Sequence, residues 1–294
     1  MKARGRKSKM IKAIILDIDG TLTNSKKEIT PETKEALLKA QKAGIRLAIA
    51  SARSRNGLSR FGRWLDFENN HGVLICYNGG LIVDAQTGET IYSKAMPKEL
   101  AKEILEYLKQ FEVIPMVDKG EYMYLNDVYK GKIHINGNEA DIIQYETRSN
   151  EFLICEKKDL AEWVDFEVPK ILVAMEPDLL NEIEDKLTEP FKDRAKVGRT
   201  APFYFEYNAL DVDKAIAMKD AFASLGIGYN EMMAFGDAQN DAGMIKAVKY
   251  GIAMGNAVDS LKEVAFDVTD DNDHDGIAKA IYKYIPELKD QKDE

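Results

Sequence analysis

Cysteine is nearly absent from this sequence: two residues, Cys76 and Cys155, each lie inside an apolar stretch. Two thiols far apart in such contexts predict buried free cysteines in a reducing compartment rather than a disulfide framework. Histidine is almost as scarce, limited to His71, His134 and His274, and no C-x-x-C or H-x-x-x-H spacing supplies a zinc site. No apolar run approaches the roughly 18 to 20 residues of a membrane-spanning helix. The first apolar stretch, Ile11 to Leu16, is interrupted by Lys12 and ends in Asp17, which does not fit a signal peptide. A cytoplasmic protein without a membrane partner is therefore expected. Positive charge is also in deficit: 41 Lys and Arg stand against 50 Asp and Glu, a formal net charge of -9. Nucleic-acid binding needs a concentrated basic face to displace counterions, so no nucleic-acid partner is expected. The exception is the leader, residues 1–10, where Lys2, Arg4, Arg6, Lys7 and Lys9 cluster. A cluster this short without aromatics reads as a solvated, disordered tail rather than a binding arm.

What the sequence does contain is alternation. From residue 11, β-rich apolar runs (Ile11 to Leu16, Arg46 to Ala50, Val73 to Tyr77) alternate with amphipathic helical stretches, the pattern of parallel βαβ units. Thr30 and Pro31 open the first helix and Gly44 closes it. LIVD and TIYS around Gly88 read as a hairpin. A separate mixed pattern comes next: a helix at Pro97 to Gln110, strands near Val113 and Tyr122, a helix at Asn138 to Thr147, a strand at Lys170 to Met175 and a helix at Pro177 to Leu187. The βα rhythm resumes with a helix at Asp211 to Leu225, a strand at Met232 to Phe235 and a helix at Gln239 to Val248. The expected fold class is thus α/β: a Rossmann-like parallel sheet core, residues 11–84 and 201–294, split by an inserted mixed α/β domain, residues 85–200. The aromatics Tyr122, Tyr124, Tyr129, Trp163, Phe203, Tyr204 and Phe205 are expected mostly in the core, with some of them free to grip a leaving group.

Chemistry concentrates at two acidic clusters. Asp17-Ile18-Asp19-Gly20-Thr21 comes directly after the first strand, and residues i and i+2 of an extended chain project the same way. Asp17 and Asp19 can therefore face one site at the carboxyl edge of the sheet, where open α/β sheets bind ligands. Gly20 lets the chain turn, and Thr21 can cap the segment after the turn. The second cluster, Gly236-Asp237-Ala238-Gln239-Asn240-Asp241, succeeds the strand MMAF in the same way. Bringing Asp17, Asp19 and Asp237 together demands a compensating cation, and an all-oxygen set beside a phosphate points to Mg²⁺.

With these clusters on either side of an insert, the chain resembles the haloacid dehalogenase superfamily of phosphatases, in particular the Cof-type branch with a large α/β cap. DIDGT resembles the first family motif, Ser51 in IASAR the second, Lys214 in DVDKAIAM the third and GDAQND the fourth; the segment GIAMGNAVDSLKEVAFDVTDDNDHDGI resembles this branch as well. Two positions depart from the pattern. Ser51-Ala52-Arg53 stands where Thr-Gly-Arg is more usual, which keeps the hydroxyl but adds a side chain at Ala52, and Ala215 succeeds Lys214 where Gly is usual.

The resemblance implies a small phosphate ester as substrate, a cap that governs specificity, and a role for each matching residue. Asp17 is expected as nucleophile and Asp19 as acid and then base, a reversal that one carboxyl can perform. Asp17 and Asp237 are expected to ligate Mg²⁺ by side chains and Asp19 by its backbone carbonyl, with Asp241 orienting Lys214 or a metal-bound water. Ser51, Lys214, Asn240 and the backbone amides of Ile18 and Ala52 are expected to meet the phosphoryl oxygens. Arg53 and Asn78, also at strand ends, are candidates for contact with substrate or cap. A phosphotransferase or mutase with the same nucleophile, or a noncatalytic phosphometabolite-binding protein, are the alternatives.

Overall fold

The computed structural model describes residues 11–289, so the basic leader lies outside the described residues. The chain divides into two compact units, and each is built around its own sheet.

The first unit comprises residues 11–52, 59–92 and 213–289 among those described. Its eight-stranded sheet runs Asp267–Val268, Tyr250–Ala253, Met232–Gly236, Ala13–Leu16, Arg46–Ala50, Val73–Cys76, Leu81–Asp84 and Thr90–Ser93. The first six strands are parallel, and Leu81–Asp84 turns back antiparallel on Val73–Cys76. Ala13–Leu16 sits in the middle because every residue of AIIL is apolar and fully buried, as a strand covered on both faces must be. Ala13 and Ile15 join Ala48, Ile75 and Ala234 in one core layer with Ala217, Met218 and Phe222 of the helix Lys214–Ala223 and Met244 and Ile245 of the helix Ala242–Ala247. The helices Pro31–Lys42 and Gly276–Tyr284 pack on one another. Thr30 caps the first of these, with Pro31 at its first position and Gly44 at φ +85° just beyond its end, as the sequence predicts.

The second unit, residues 53–58 and 93–212, has a six-stranded sheet in the order Leu153–Glu156, Tyr122–Leu125, Ile114–Lys119, Lys170–Ala174, Tyr204–Asn208, Lys196–Ala201. Its boundaries lie at 93 and 212 where the sequence predicts 85 and 200. The hairpin strand Thr90–Ser93 extends the first sheet, while Tyr204–Asn208 pairs with Lys170–Ala174 and Lys196–Ala201 of the second. Ile171, Val173, Phe205 and Tyr207 form one face with the helices Lys98–Leu108 and Pro177–Thr188, and Leu172, Ala174 and Tyr204 form the other with Met116, Met123 and Ile143.

The helix expected from Asn138 begins instead at Ile142, because Asn138–Asp141 is a strand paired with Lys132–Ile135. The two-residue link Asn136-Gly137 has φ +53° and +80°, the Asn-Gly turn that favours a tight hairpin. Asp141 then starts the helix, its Oδ1 accepting from Gln144 N at 2.9 Å. Cys155, expected buried, is partly exposed because its strand edges the sheet; Cys76 is buried, and both thiols are free of disulfides. Of the insert aromatics, Phe205 and Tyr207 are core whereas Tyr129 is 89% exposed. Among the described residues no helix is long and apolar enough to cross a membrane.

Candidate active site

Strand register brings the two acidic clusters together. Leu16 lies beside Phe235 in the parallel pair, and Asp17 N donates to Phe235 O at 3.1 Å, so Asp17 and Asp237 leave adjacent strand ends at the point where strand order reverses. The third group arrives from a helix start. Lys214 is the first residue of Lys214–Ala223, capped by Asp213 Oδ1, which accepts from Ala215 N at 2.7 Å. Its buried ammonium donates to Asp17 Oδ1 at 2.6 Å and to Asp241 Oδ1 at 2.8 Å. Asp241, fully buried, turns its Oδ2 to the amides of Asp237 and Ala238, each at 3.1 Å. Thr21, expected as a cap, instead donates its hydroxyl to Asp237 Oδ1 at 2.9 Å.

Two tight approaches hold this geometry. Gly20 has φ +85°, and a Cβ there would stand 2.4 Å from Asp237 Oδ2, so only glycine allows both the turn and the carboxylate above it. On the other side, Tyr77, Asn78 and Gly79 have φ of +50°, +55° and +107° in succession, a run of strained backbone. A Cβ on Gly79 would lie 2.8 Å from both Ala217 Cβ and Asp213 O, so this bend lets the helix bearing Lys214 approach closely.

Electrostatics make the cluster unusual. Asp17 and Asp241 pair with one ammonium where bulk water cannot relax them, and the half-buried Asp237 stands alongside. Burial pushes the Asp17 carboxyl up to about 7, with Lys214 opposing and Asp241 and Asp237 reinforcing. Burial also raises Asp237, against the Thr21 hydrogen bond and with Asp241. For Lys214 burial works toward the neutral amine, but Asp17 and Asp241 outweigh it and hold the ammonium. A hard cation fits what remains. One carboxylate oxygen each from Asp17, Asp237 and Asp241 lies within 4.8 Å of the others, and among the described residues Asp17 Oδ2 and Asp237 Oδ2 accept no hydrogen bond. Asp241 has both oxygens engaged, which suits it to orienting Lys214 rather than to ligation.

The other expected residues are distributed less closely. Asp19 is exposed, its Oδ1 accepting from Lys27 Nζ at 3.0 Å. Ser51 is buried at the end of Arg46–Ala50, its amide donating to Ile75 O at 3.0 Å and its carbonyl accepting from Asn78 N at 2.8 Å. Asn78 Oδ1 is buried without a hydrogen-bond partner among the described residues. Ile18 is buried, its carbonyl accepting from Thr23, and Ala52 is half-buried. Asn240 is exposed in the short turn Gln239–Asp241. Arg53 belongs to the second unit, where it donates to Ser149 O at 2.9 Å. Sequence reasoning missed Asp213, Thr21 as a support for Asp237, and Lys27 beside Asp19. An aspartate directly before Lys214 at a helix start was the available signal for Asp213; Lys27 carried none.

The profile of the haloacid dehalogenase-like hydrolases matches residues 14–281. A Streptococcus pyogenes serotype M6 protein with a provisional phosphatase name is 30% identical over 277 residues, covering 94% of this chain and 98% of its own. A solved haloacid dehalogenase-like hydrolase of Bacteroides thetaiotaomicron superposes with a TM-score of 0.85 at 31% identity, covering 92% of this chain and 98% of its own. A solved sugar phosphatase of subclass IIB superposes with a TM-score of 0.75 at 25% identity, covering 93% of this chain and 98% of its own.

Proposed function

We propose that this chain, which belongs to the haloacid dehalogenase-like hydrolase family and is a phosphatase of its Cof-type branch, is a Mg²⁺-dependent phosphomonoesterase that acts through a covalent phosphate on Asp17. The observation that carries this reading is the buried Asp17–Lys214–Asp241 chain with Asp237 alongside: a carboxylate fixed by an ammonium, next to oxygens without donors.

Asp17 and Asp237 would hold the cation with side-chain oxygens, and Asp19 with its backbone carbonyl. The bound cation would offset charge on the phosphoryl oxygens. Asp17 attacks phosphorus and the bond to the leaving oxygen breaks, while Asp19 hands that oxygen its proton. Asp19, now a carboxylate, takes a proton from water as the water attacks the same phosphorus, the bond to Asp17 breaks and orthophosphate leaves. Lys214 fixes the nucleophile and, with Ser51, Asn240 and the amides of Ile18 and Ala52, meets phosphoryl charge. Arg53 and Asn78 are proposed for contact with substrate or cap, and the second unit for selection of the leaving group. The solved sugar phosphatase favours a sugar phosphate as substrate, and the reduced cysteines and the absence of a signal-peptide pattern favour a cytoplasmic enzyme.

The test is a panel of phosphorylated metabolites, sugar phosphates included, assayed with Mg²⁺ and with EDTA on the parent and on Asp17→Asn. Metal-dependent release of orthophosphate that the substitution abolishes is the expected result. Turnover unchanged in Asp17→Asn would remove Asp17 as nucleophile.

A further inference from the structure

We propose that Asn256, Asn272 and Asp273 are positioning residues for Asp19: a backbone clamp, formed by the last third of the chain, that holds the acid-base loop in register. The inference deepens the phosphatase reading and rests on it for the role of Asp19.

Asp19 differs from its partners in having no regular element beneath it. Asp17 continues a central strand and Lys214 opens a capped helix, but Asp19 sits in the loop 17–28, and its side chain is 42% exposed. That loop has two halves. The inner one hangs from the strand end: Thr21 N and Thr23 N donate to Ile18 O, and Leu22 N to Asp17 O. The outer one is a turn wound around Asn24, whose Oδ1 accepts from Lys26 N and Glu28 N at 2.9 and 3.0 Å, and it swings Lys27 onto Asp19. The ion pair of Lys27 and Asp19 ties the outer half to the inner one, and such a pair is exposed and weak by itself.

The junction is gripped from outside. Asn256 Nδ2 donates to Gly20 O at 2.8 Å, Asn272 Nδ2 to Thr23 O at 2.8 Å, and Ser25 N to Asp273 Oδ1 at 2.8 Å. The clamp is itself linked, Asn272 N donating to Asn256 Oδ1 at 3.2 Å and Asp273 N to Asp271 Oδ1 at 3.0 Å. Gly255 N to Asp270 O at 3.1 Å joins its two segments. Three contacts on backbone polar groups carry no information about substrate; what they fix is where residues 19–25 run. Because a displacement of about 1 Å in a reacting group can cost on the order of a hundredfold in rate, this is where the clamp acts on catalysis.

The test separates the two steps that need Asp19. p-Nitrophenolate leaves without a proton, so phosphorylation of Asp17 by p-nitrophenyl phosphate is insensitive to the acid, whereas hydrolysis of the intermediate needs the base. With full-length enzyme and Mg²⁺, Asn272→Ala and Asn256→Ala should give a nitrophenolate burst near one per enzyme and then a steady rate about 10 to 100-fold below the parent. Asn272→Asp, similar in shape but without the donor, should behave alike. Hydrogen exchange over 18–28 should quicken in all three variants. Steady rates within about twofold of the parent, or a burst that shrinks in proportion to the rate as a merely misfolded fraction would, overturns the inference. A parent with no metal-dependent turnover would sink the phosphatase reading instead, and unchanged exchange over 18–28 would then sink the clamp on its own evidence.

Discussion

Each unit buries a cluster of charge, and the two clusters are finished differently. In the second unit, Lys170 pairs with Glu206 at 3.1 Å, and Asn208 Nδ2 donates to the other Glu206 oxygen at 3.4 Å. Glu146 accepts from Tyr204 OH at 2.7 Å on one oxygen and from Asn150 Nδ2 at 3.1 Å on the other. Burial works against the Lys170 ammonium, but Glu206, Glu146 and Asp118 overcome it. Every carboxylate oxygen of these two glutamates has a donor, and among the described residues the amide oxygen of Asn208 is left without one. Carboxylates outnumber the ammonium in both clusters, but in the first unit, among the described residues, Asp17 Oδ2 and Asp237 Oδ2 have no donor. A cluster closed by its own donors is architecture; a cluster with carboxylate oxygens left open is built for something that comes and goes.

The sharpest way to break this contrast is to remove the cation at each centre. Lys214→Met leaves Asp17 and Asp241 buried without a counter-charge, and a loss of about 3 to 5 kcal/mol in unfolding free energy is expected, together with all turnover. Lys170→Met leaves Glu206 with its Asn208 donor and Glu146 with its Tyr204 and Asn150 donors, so a smaller loss, about 1 to 3 kcal/mol, is expected with Mg²⁺-dependent stabilisation intact. Denaturant unfolding of both variants measures it; equal losses would mean that the clusters do not differ. The next effect is the response to metal. Saturating Mg²⁺, about 100 times its dissociation constant, should stabilise the parent by about 2.7 kcal/mol. Asp237→Asn should lose most of that gain and Glu206→Gln none of it. Thermal melts with Mg²⁺ against EDTA decide the point, and a gain that survives in Asp237→Asn would place the cation elsewhere.

The same contrast explains what can be read from the sequence. Asp17 and Asp237 are legible because each comes directly after an apolar run, and the parallel register Leu16 to Phe235 converts that adjacency in sequence into adjacency in space. Lys214 and Ser51 become legible only through motif order. In the second unit no such rule applies: Lys170 and Glu206 lie 36 residues apart on neighbouring antiparallel strands, and their meeting depends on the pairing of Lys170 with Asn208, which apolar alternation does not specify. The hairpin at Asn136-Gly137 carries a turn signal in the sequence, but the polar residues after it resemble a helix start, which is why the pattern predicts the helix from Asn138 rather than Ile142. The clamp on Asp19 joins residues about 240 positions apart through side-chain amides, which leave no periodic trace.

The smallest effect is the most discriminating, because it compares two helix caps that are alike locally and unlike in what they carry. Asp213 Oδ1 accepts from Ala215 N at 2.7 Å in the first unit, and Asp141 Oδ1 from Gln144 N at 2.9 Å in the second. Replacing either with alanine should lower stability by about 1 kcal/mol, the ordinary cost of a lost cap. The consequences for activity should diverge. Lys214 is the next residue after Asp213, and its ammonium must reach Asp17 and Asp241 within hydrogen-bond distance, so fraying of that first turn loosens the nucleophile. Asp213→Ala should therefore reduce kcat several-fold, to about a tenth of the parent, with KM changed less, whereas Asp141→Ala should leave kcat as it is. Steady-state kinetics on the two variants at matched fractions folded would test this. An equal fall in kcat for both would mean that general loosening, rather than the seat of Lys214, sets the rate.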